Sequence, residues 1–569
     1  MAPVAYSIDL GLVRGWLASF VAVTVLLLGA ALGCEPQADA ELDLVQGRMA
    51  VIPLVNETGD PTLDEVGMAL EDAATSAASE VRDAELILVR GSAEVSADDS
   101  PRVIAAQTGA SMVVRGTVST AGNRVEIKAE IVDPADGSTM HDLPAEWGPR
   151  SDPSVAARRL ANRLAGALAI HLDPDRTNPH LYSVPTLQAF RIADHADSLF
   201  VQTLQEEAIP VLYEAYAADT MYLNPLFLAA AAHNNLGRGS VGDSLLDHIE
   251  ARIGRLTEIE RYNLAWFRGP PEPAMRAAQA ARELDPLGWT YGVGLRANQA
   301  GFFEIAAEAL SHRSELAEMG NYSAQTWPPW RSQYTVALHA IGDHGTELAE
   351  ARLANSDFPD NPWWIWNEMR ALAGMGEVDQ VLALVDSAHV LLQTFDNAGF
   401  FENLEDVAVE LKVHGNPEPG DALLEQVIAH YREIDNPAQL ADALGFAGRT
   451  QEAYETLGPI ISDESSPDLI GWSGVAAAII GETEAAEETL SRLESRPDAA
   501  IGNSLRYQAA LHGALGRCDR AIELYKEATE AGFSFSQAWG GEWWHRDWET
   551  VPVRENCPGF QGLLDKTGG

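Results

Sequence analysis

The chain has 569 residues, too many for one hydrophobic core, so two or more domains are expected. Hydrophobic residues make up 46%, which excludes wholesale disorder. The formal net charge is −46, a surface that repels phosphates, so composition alone predicts no nucleic-acid partner and gives the charge a solubilising role.

In chain order, the first feature is Trp16 to Gly33, WLASFVAVTVLLLGAALG, which carries no charge. Arg14 precedes it, and Glu35, Asp39, Glu41 and Asp43 follow, so the N-terminus is expected inside a membrane and the body outside. The length lies between a signal-peptide core and a spanning helix. Its end, Ala31-Leu32-Gly33-Cys34, resembles a bacterial lipobox, in which the cysteine becomes the lipidated first residue; Ala31 stands where that pattern usually has Leu. A lipid on Cys34 and an uncleaved single-pass helix are both open. Residues 1–34 are read as signal or anchor and 35–47 as an acidic tether.

Residues 48–172 read as a small α/β domain. Arg48–Val55 is a buried-strand run, followed by the helix-starting loop Asn56-Glu57-Thr58-Gly59-Asp60-Pro61. A helix is expected over 62–81, strands at Glu85–Val89 and Ser111–Ser119, and a short helix over Pro101–Thr108. A hairpin partner follows at Arg124–Val132 after the turn Ala121-Gly122-Asn123, and an Arg-bearing amphipathic helix spans 153–170. The wording AVIPLVNETGDPTLDEVG and TGASMVVRGTVSTAGNRVEIKAEIVDPADGS resembles the N-terminal domain of the TolB family, in the version fused to tetratricopeptide repeat (TPR) arrays in many bacteria. The resemblance implies a domain that contributes contacts rather than chemistry. Asn56, Glu57 and Asp60 are a loop capping the next helix, without the Gly-rich, Lys-bearing pattern of a phosphate cradle.

From residue 183 to 569 a ladder dominates. Gly237, Gly269, Gly301, Gly342, Gly376, Gly415, Gly448, Gly481 and Gly516 recur at a mean of roughly 35 residues, with Thr203 as an upstream rung. Each glycine is expected to end the first helix of a pair in a left-handed conformation. A small residue five positions on, such as Ala274, Ala453, Ala486 or Ala521, lets the second helix pack closely. This spacing predicts a TPR-like α-solenoid with a concave groove. Leu245–Phe267 and the stretch HRDWETVPVRENCPGFQGLL near the C-terminus resemble the corresponding parts of TolB-type TPR proteins. The fold class expected is therefore α+β: a small α/β domain followed by an all-α superhelix.

Motifs for chemistry are lacking. There is no HExxH, GxSxG, P-loop or GxGxxG after a strand, and no Cys/His spacing for zinc, so no catalytic residue, metal or cofactor is expected. The cluster Trp543, Trp544, His545, Arg546, Asp547 and Trp548 reads as an aromatic cap on the array. Trp363, Trp366 and Arg370 fall on the groove face of one hairpin in the repeat frame, as do Asn224, Phe227 and Asn234 on an earlier one; these six are the candidate partner-binding residues. Cys518 and Cys557 form a candidate disulfide in a compartment outside the membrane. Together these features predict a non-enzymatic scaffold or adaptor of a bacterial cell envelope, anchored to a membrane and holding unknown protein partners. The alternative is a binding protein for a small molecule or an envelope polysaccharide.

Overall fold

A computed structural model describes residues 42–89, 99–320, 327–358, 363–392, 398–462, 464–495, 503–531, 533 and 547–564. The stretch Trp16–Cys34 and the residues Trp543, Trp544, His545 and Arg546 lie outside this set, as does the Trp363 side chain. Among the described residues no helix is long and apolar enough to cross a membrane.

The α/β domain is built on strands β1 (Val45–Val51), β2 (Val55–Asn56), β3 (Glu85–Leu88), β4 (Ala110–Ala121), β5 (Arg124–Val132), β6 (Thr139–Asp142) and β7 (Glu146–Pro149). They form one mixed sheet in the order β3-β1-β4-β5-β6, with β2 paired to β4 and β7 to β5. β1 runs parallel to β3 and β4, and β4–β5 is an antiparallel hairpin closed by Gly122 and Asn123. The alternation of β1 explains its burial on both faces. Met49 and Val51 pack under helices α1 (Glu65–Ala78) and α3 (Ser154–His171), whereas Ala50 and Ile52 pack on Ile104 of α2 (Pro101–Thr108). Asp60 caps the turn leading to α1 by accepting from the Thr62 amide at 3.1 Å. Bonds from Thr62 and Arg150 hold its carboxyl down at about 2.

Among the described residues ten helical hairpins follow, from Leu187–Val201 with Gln205–Ala218 to Asn503–Ala514 with Cys518–Glu530. The chain is thus a small α/β domain followed by a TPR-like solenoid. Gly237, Gly301, Gly342, Gly376, Gly415, Gly448, Gly481 and Gly516 all take positive φ, and Thr203 does so in their absence at 64°. Gly269 departs from the expectation of a left-handed residue. Its φ is −75° and ψ 147°, because Pro270 and Pro271 follow, and a residue before proline is driven to extended backbone. The close-packing position is tight where a side chain is lacking: a Cβ on Gly420 would meet the Ala408 carbonyl at 2.5 Å.

Two features join the parts. Arg163 of α3 is buried and donates to Glu146 Oε1 (2.8 Å), to the Val184 carbonyl (2.8 Å) and to Asp219 Oδ2 (2.9 Å), which belong to β7, the connection and the first hairpin. At the other end, residues 547–550 turn back along the inner helices. Trp548 Nε1 donates to Asp442 Oδ1 at 2.8 Å, and its indole occupies the space a side chain at Gly445 would need. Cys518 and Cys557 are bonded, with Cα atoms 5.2 Å apart, at the base of this segment.

Candidate functional site

The first helices of the opening hairpins curve around a cavity of about 650 Å³. Its floor is the connection from the α/β domain, residues 173–176, and its walls come from Leu187–Val201, Asn224–Asn235, Glu258–Arg268 and Thr290–Ala300, with Trp327 at one side. Local sequence fixes these walls. Thr257 and Glu260 form a reciprocal capping box at the start of Glu258–Arg268, which sets the direction of that helix. Glu260 also accepts from the Ser183 amide at 3.0 Å and hydroxyl at 2.7 Å, so one buried carboxylate ties the connection to the wall.

Aromatic rings line most of the cavity. Phe227 stacks on Phe267 with centroids 5.8 Å apart, Trp266 meets Phe267 edge-on at 4.8 Å, and Tyr291 lies against Trp327 at 4.5 Å. Trp266 is locked by its Nε1 bond to the Gly292 carbonyl at 3.0 Å and by the Arg296 guanidinium 4.5 Å over its ring. Burial lowers Arg296 to about 10, only partly offset by Tyr291.

The polar part of the lining is acidic. Asp173, Asp175, Asp194 and Asp197 face one guanidinium, Arg176, which pairs with Asp173 at 3.6 Å. Asp197 is reached by water from the cavity, yet protein surrounds it. This enclosure pushes its carboxyl up to about 7; Arg176 opposes the shift, and Asp173 and Asp194 add to it. Asp194 is raised by burial and by Asp173, against Arg176 and His195. The arrangement is an aromatic box with a carboxylate edge, suited to holding an apolar cation or to stacking on a flat ligand.

Of the six candidate residues, Asn224 and Phe227 line this cavity. Asn234 is exposed one turn beyond, beside Gly242. Trp366 and Arg370 are 4% and 0% exposed; the guanidinium lies 4.9 Å over the indole, inside the array rather than at an open groove. Trp363 is helical, with its side chain outside the described residues. Arg370 leads to a second polar site that the sequence reading did not anticipate. Its Nε donates to Glu347 Oε1 at 2.7 Å; Glu347 Oε2 lies 2.9 Å from His339 Nδ1 and 3.1 Å from His344 Nδ1. His339 Nε2 lies 3.2 Å from Glu410 Oε2, which is 3.4 Å from His414 Nε2. Burial would lower His339, but the two carboxylates raise it; burial would raise Glu347, but His339 and Arg370 hold it low.

A signal for this cluster lies in the ladder. Five residues after the glycine, or after Thr203, nine rungs carry Ala, Gly or Val, whereas Gly342 is followed by Glu347. Five residues before the glycine, most rungs carry Ala or Leu, whereas Gly415 is preceded by Glu410.

No family model and no curated protein matches the chain. Among solved structures it is similar to the human IFIT1 dimer with m7Gppp-AAAA, at 15% identity and a TM-score of 0.29, over 59% of this chain and 89% of that one. The P58(IPK) TPR domain is similar at 14% identity and a TM-score of 0.16, over 67% of this chain and 99% of that one. The expectation of no nucleic-acid partner is corrected: the IFIT1 structure, to which part of this chain is similar, is recorded with m7Gppp-AAAA. The physical reason is that net charge averages over the whole surface, whereas recognition depends on the groups at one site.

Proposed function

We propose that the chain is a non-catalytic ligand-binding protein, and that the cavity of the first four hairpins takes a small organic cation. The observation that carries this reading is the meeting of stacked aromatic rings with four carboxylates and one guanidinium in one half-open cavity. A quaternary ammonium group gains from ring faces and from a nearby carboxylate once water is excluded. The volume suits a compact organic molecule rather than a folded partner. A protein held in the groove, the role expected from the repeats alone, is less well supported. Trp366 and Arg370 are buried, and residues 547–550 occupy the inner face of later hairpins.

Binding is tested by calorimetry with benzyltrimethylammonium and, in parallel, neutral oligosaccharides. The ammonium compound is expected to bind the full chain. Because a bound cation favours ionised Asp197, its affinity is expected to rise about 10-fold from pH 6 to pH 8. Trp327→Ala is expected to remove binding, and Asp197→Asn to remove the pH dependence. Binding of a neutral sugar with no pH dependence would defeat the cation reading.

The same proposal places the protein outside the cytoplasm of a bacterium, held by residues 16–34 through Cys34 or a spanning helix. Its supports are the uncharged stretch with its flanking charges, the TolB-like wording of residues 48–172 and the bonded Cys518–Cys557 pair, which persists where thiols are oxidised.

A further inference from the structure

We infer that His339, Glu410 and His414 form a binding site for one divalent transition-metal ion of the Zn²⁺ type, at the junction of the helix Pro328–Ala340 with the C-terminal end of Ala398–Val413. Three observations, independent of the aromatic cavity, carry this. The first is composition and spacing: two imidazoles and a carboxylate are the donor set of many open zinc sites. Glu410 and His414 stand four residues apart at the end of one helix, so both face the same neighbour.

The second is distance. Tetrahedral bonds of 2.0–2.2 Å set ligand atoms about 3.3–3.5 Å apart. Glu410 Oε2 lies 3.2 Å from His339 Nε2 and 3.4 Å from His414 Nε2, and the three ligand atoms fall within 4.8 Å of one another. The neighbouring group His339 Nδ1, His344 Nδ1 and Glu347 Oε2 is tighter, at 2.9 and 3.1 Å; the His339–Glu410 contact is a hydrogen bond too, but its length also fits two ligand atoms of one ion. His414 Nε2 is buried and, although close to Glu410, makes no hydrogen bond among the described residues.

The third is the support behind the ligands. When His339 Nε2 binds a metal, Nδ1–H donates to Glu347, which Arg370 holds from its other oxygen. A carboxylate behind a ligating imidazole fixes the tautomer and raises the basicity of the ring. Glu347 and Glu410 both occupy positions that most other rungs give to small or apolar residues, and both are wholly buried. An uncompensated carboxylate there is costly, so two such breaches meeting at one histidine form a built site rather than a solvated patch. His414 is partly exposed and gives the ion a path in. Binding displaces the proton on His339 Nε2 to solvent.

The test uses the full chain without a polyhistidine tag, freed of metal by a chelator and titrated with Co²⁺ as the spectroscopic probe, then Zn²⁺. The expected result is visible Co²⁺ absorption of low coordination number, saturating at one equivalent and bleached by Zn²⁺, with a Zn²⁺-dependent rise in melting temperature. His414→Ala keeps the helical circular dichroism but lowers Co²⁺ affinity by more than about 100-fold; His344→Ala, which removes a bond to Glu347 and a ring packed on His339 and His414 but no ligand atom of this site, lowers it by no more than about 10-fold. Absence of both the Co²⁺ bands and the melting shift overturns the site and leaves a hydrogen-bonded ion network. Uptake that persists in His414→Ala, or that His344→Ala abolishes, overturns the ligand assignment.

Discussion

His141 and His171 meet through their Nε2 atoms at 2.9 Å, where β6 crosses the end of α3. One ring must donate and the other accept, so the pair cannot be doubly charged without breaking this bond. Burial lowers His141 to about 3 and His171 to about 4; His171 adds to the first shift and His180 to both. The sign of the pH effect follows. The unfolded histidines bind protons near pH 6.5 while the folded ones do not, so stability falls as pH drops from 6.5 toward 4. For one such group the loss at pH 5 is about 2 kcal/mol. Urea unfolding at pH 7 and pH 5 is expected to show this drop, and His171→Asn to flatten it; an equal drop in the variant would remove the pair as its cause. Neither histidine was distinguishable in the sequence, because their contact depends on a strand and a helix 30 residues apart reaching the same edge. Glu347 and Glu410 differ: each breaks a position rule visible in the ladder, but only the fold shows that both breaches lie against His339.

Among elements, the helix α3 does the most joining. The 3.6-residue pattern over 153–170 announced a helix with one apolar face, but α3 is buried around most of its girth. The sheet takes one side, α1 another and the first array helix a third. Arg163 lies at the meeting of these contacts. Its replacement by Met leaves Glu146 and Asp219 as buried, unpaired carboxylates, and breaking such a pair costs about 3–5 kcal/mol. Limited proteolysis of Arg163→Met is expected to cut first within residues 173–186, between the α/β domain and the array. A cutting pattern identical to that of the unaltered chain would show that the two parts dock without it. Hairpin ends were legible because a left-handed glycine is a local requirement. Gly269 escaped that reading because the two prolines after it impose a stronger local one.

At the scale of the molecule, sequence periodicity announced a superhelix but not what its inner face would enclose. The cavity needs four successive hairpins and the start of a fifth to curve together, so Trp266, Tyr291 and Trp327 become neighbours only in three dimensions. The inner face of later repeats is occupied by Trp548, which sits 106 residues beyond its partner Asp442. Trp548→Ala is expected to lose about 3–5 kcal/mol, with faster amide exchange concentrated in Pro437–Phe446 and Pro467–Ile480. Exchange unchanged in those two helices would show that the segment rests on the array without supporting it. The geometry also sets an order of events during synthesis. A ribosome delivers Asp442, and Arg506 whose guanidinium lies 3.5 Å from the Glu549 carboxylate, well before Trp548 and Glu549, so the inner face of these repeats stays wet on the nascent chain. Its charged groups lose their water only when the later segment threads back, which makes that return a late step and a length-dependent check that these hairpins have been made.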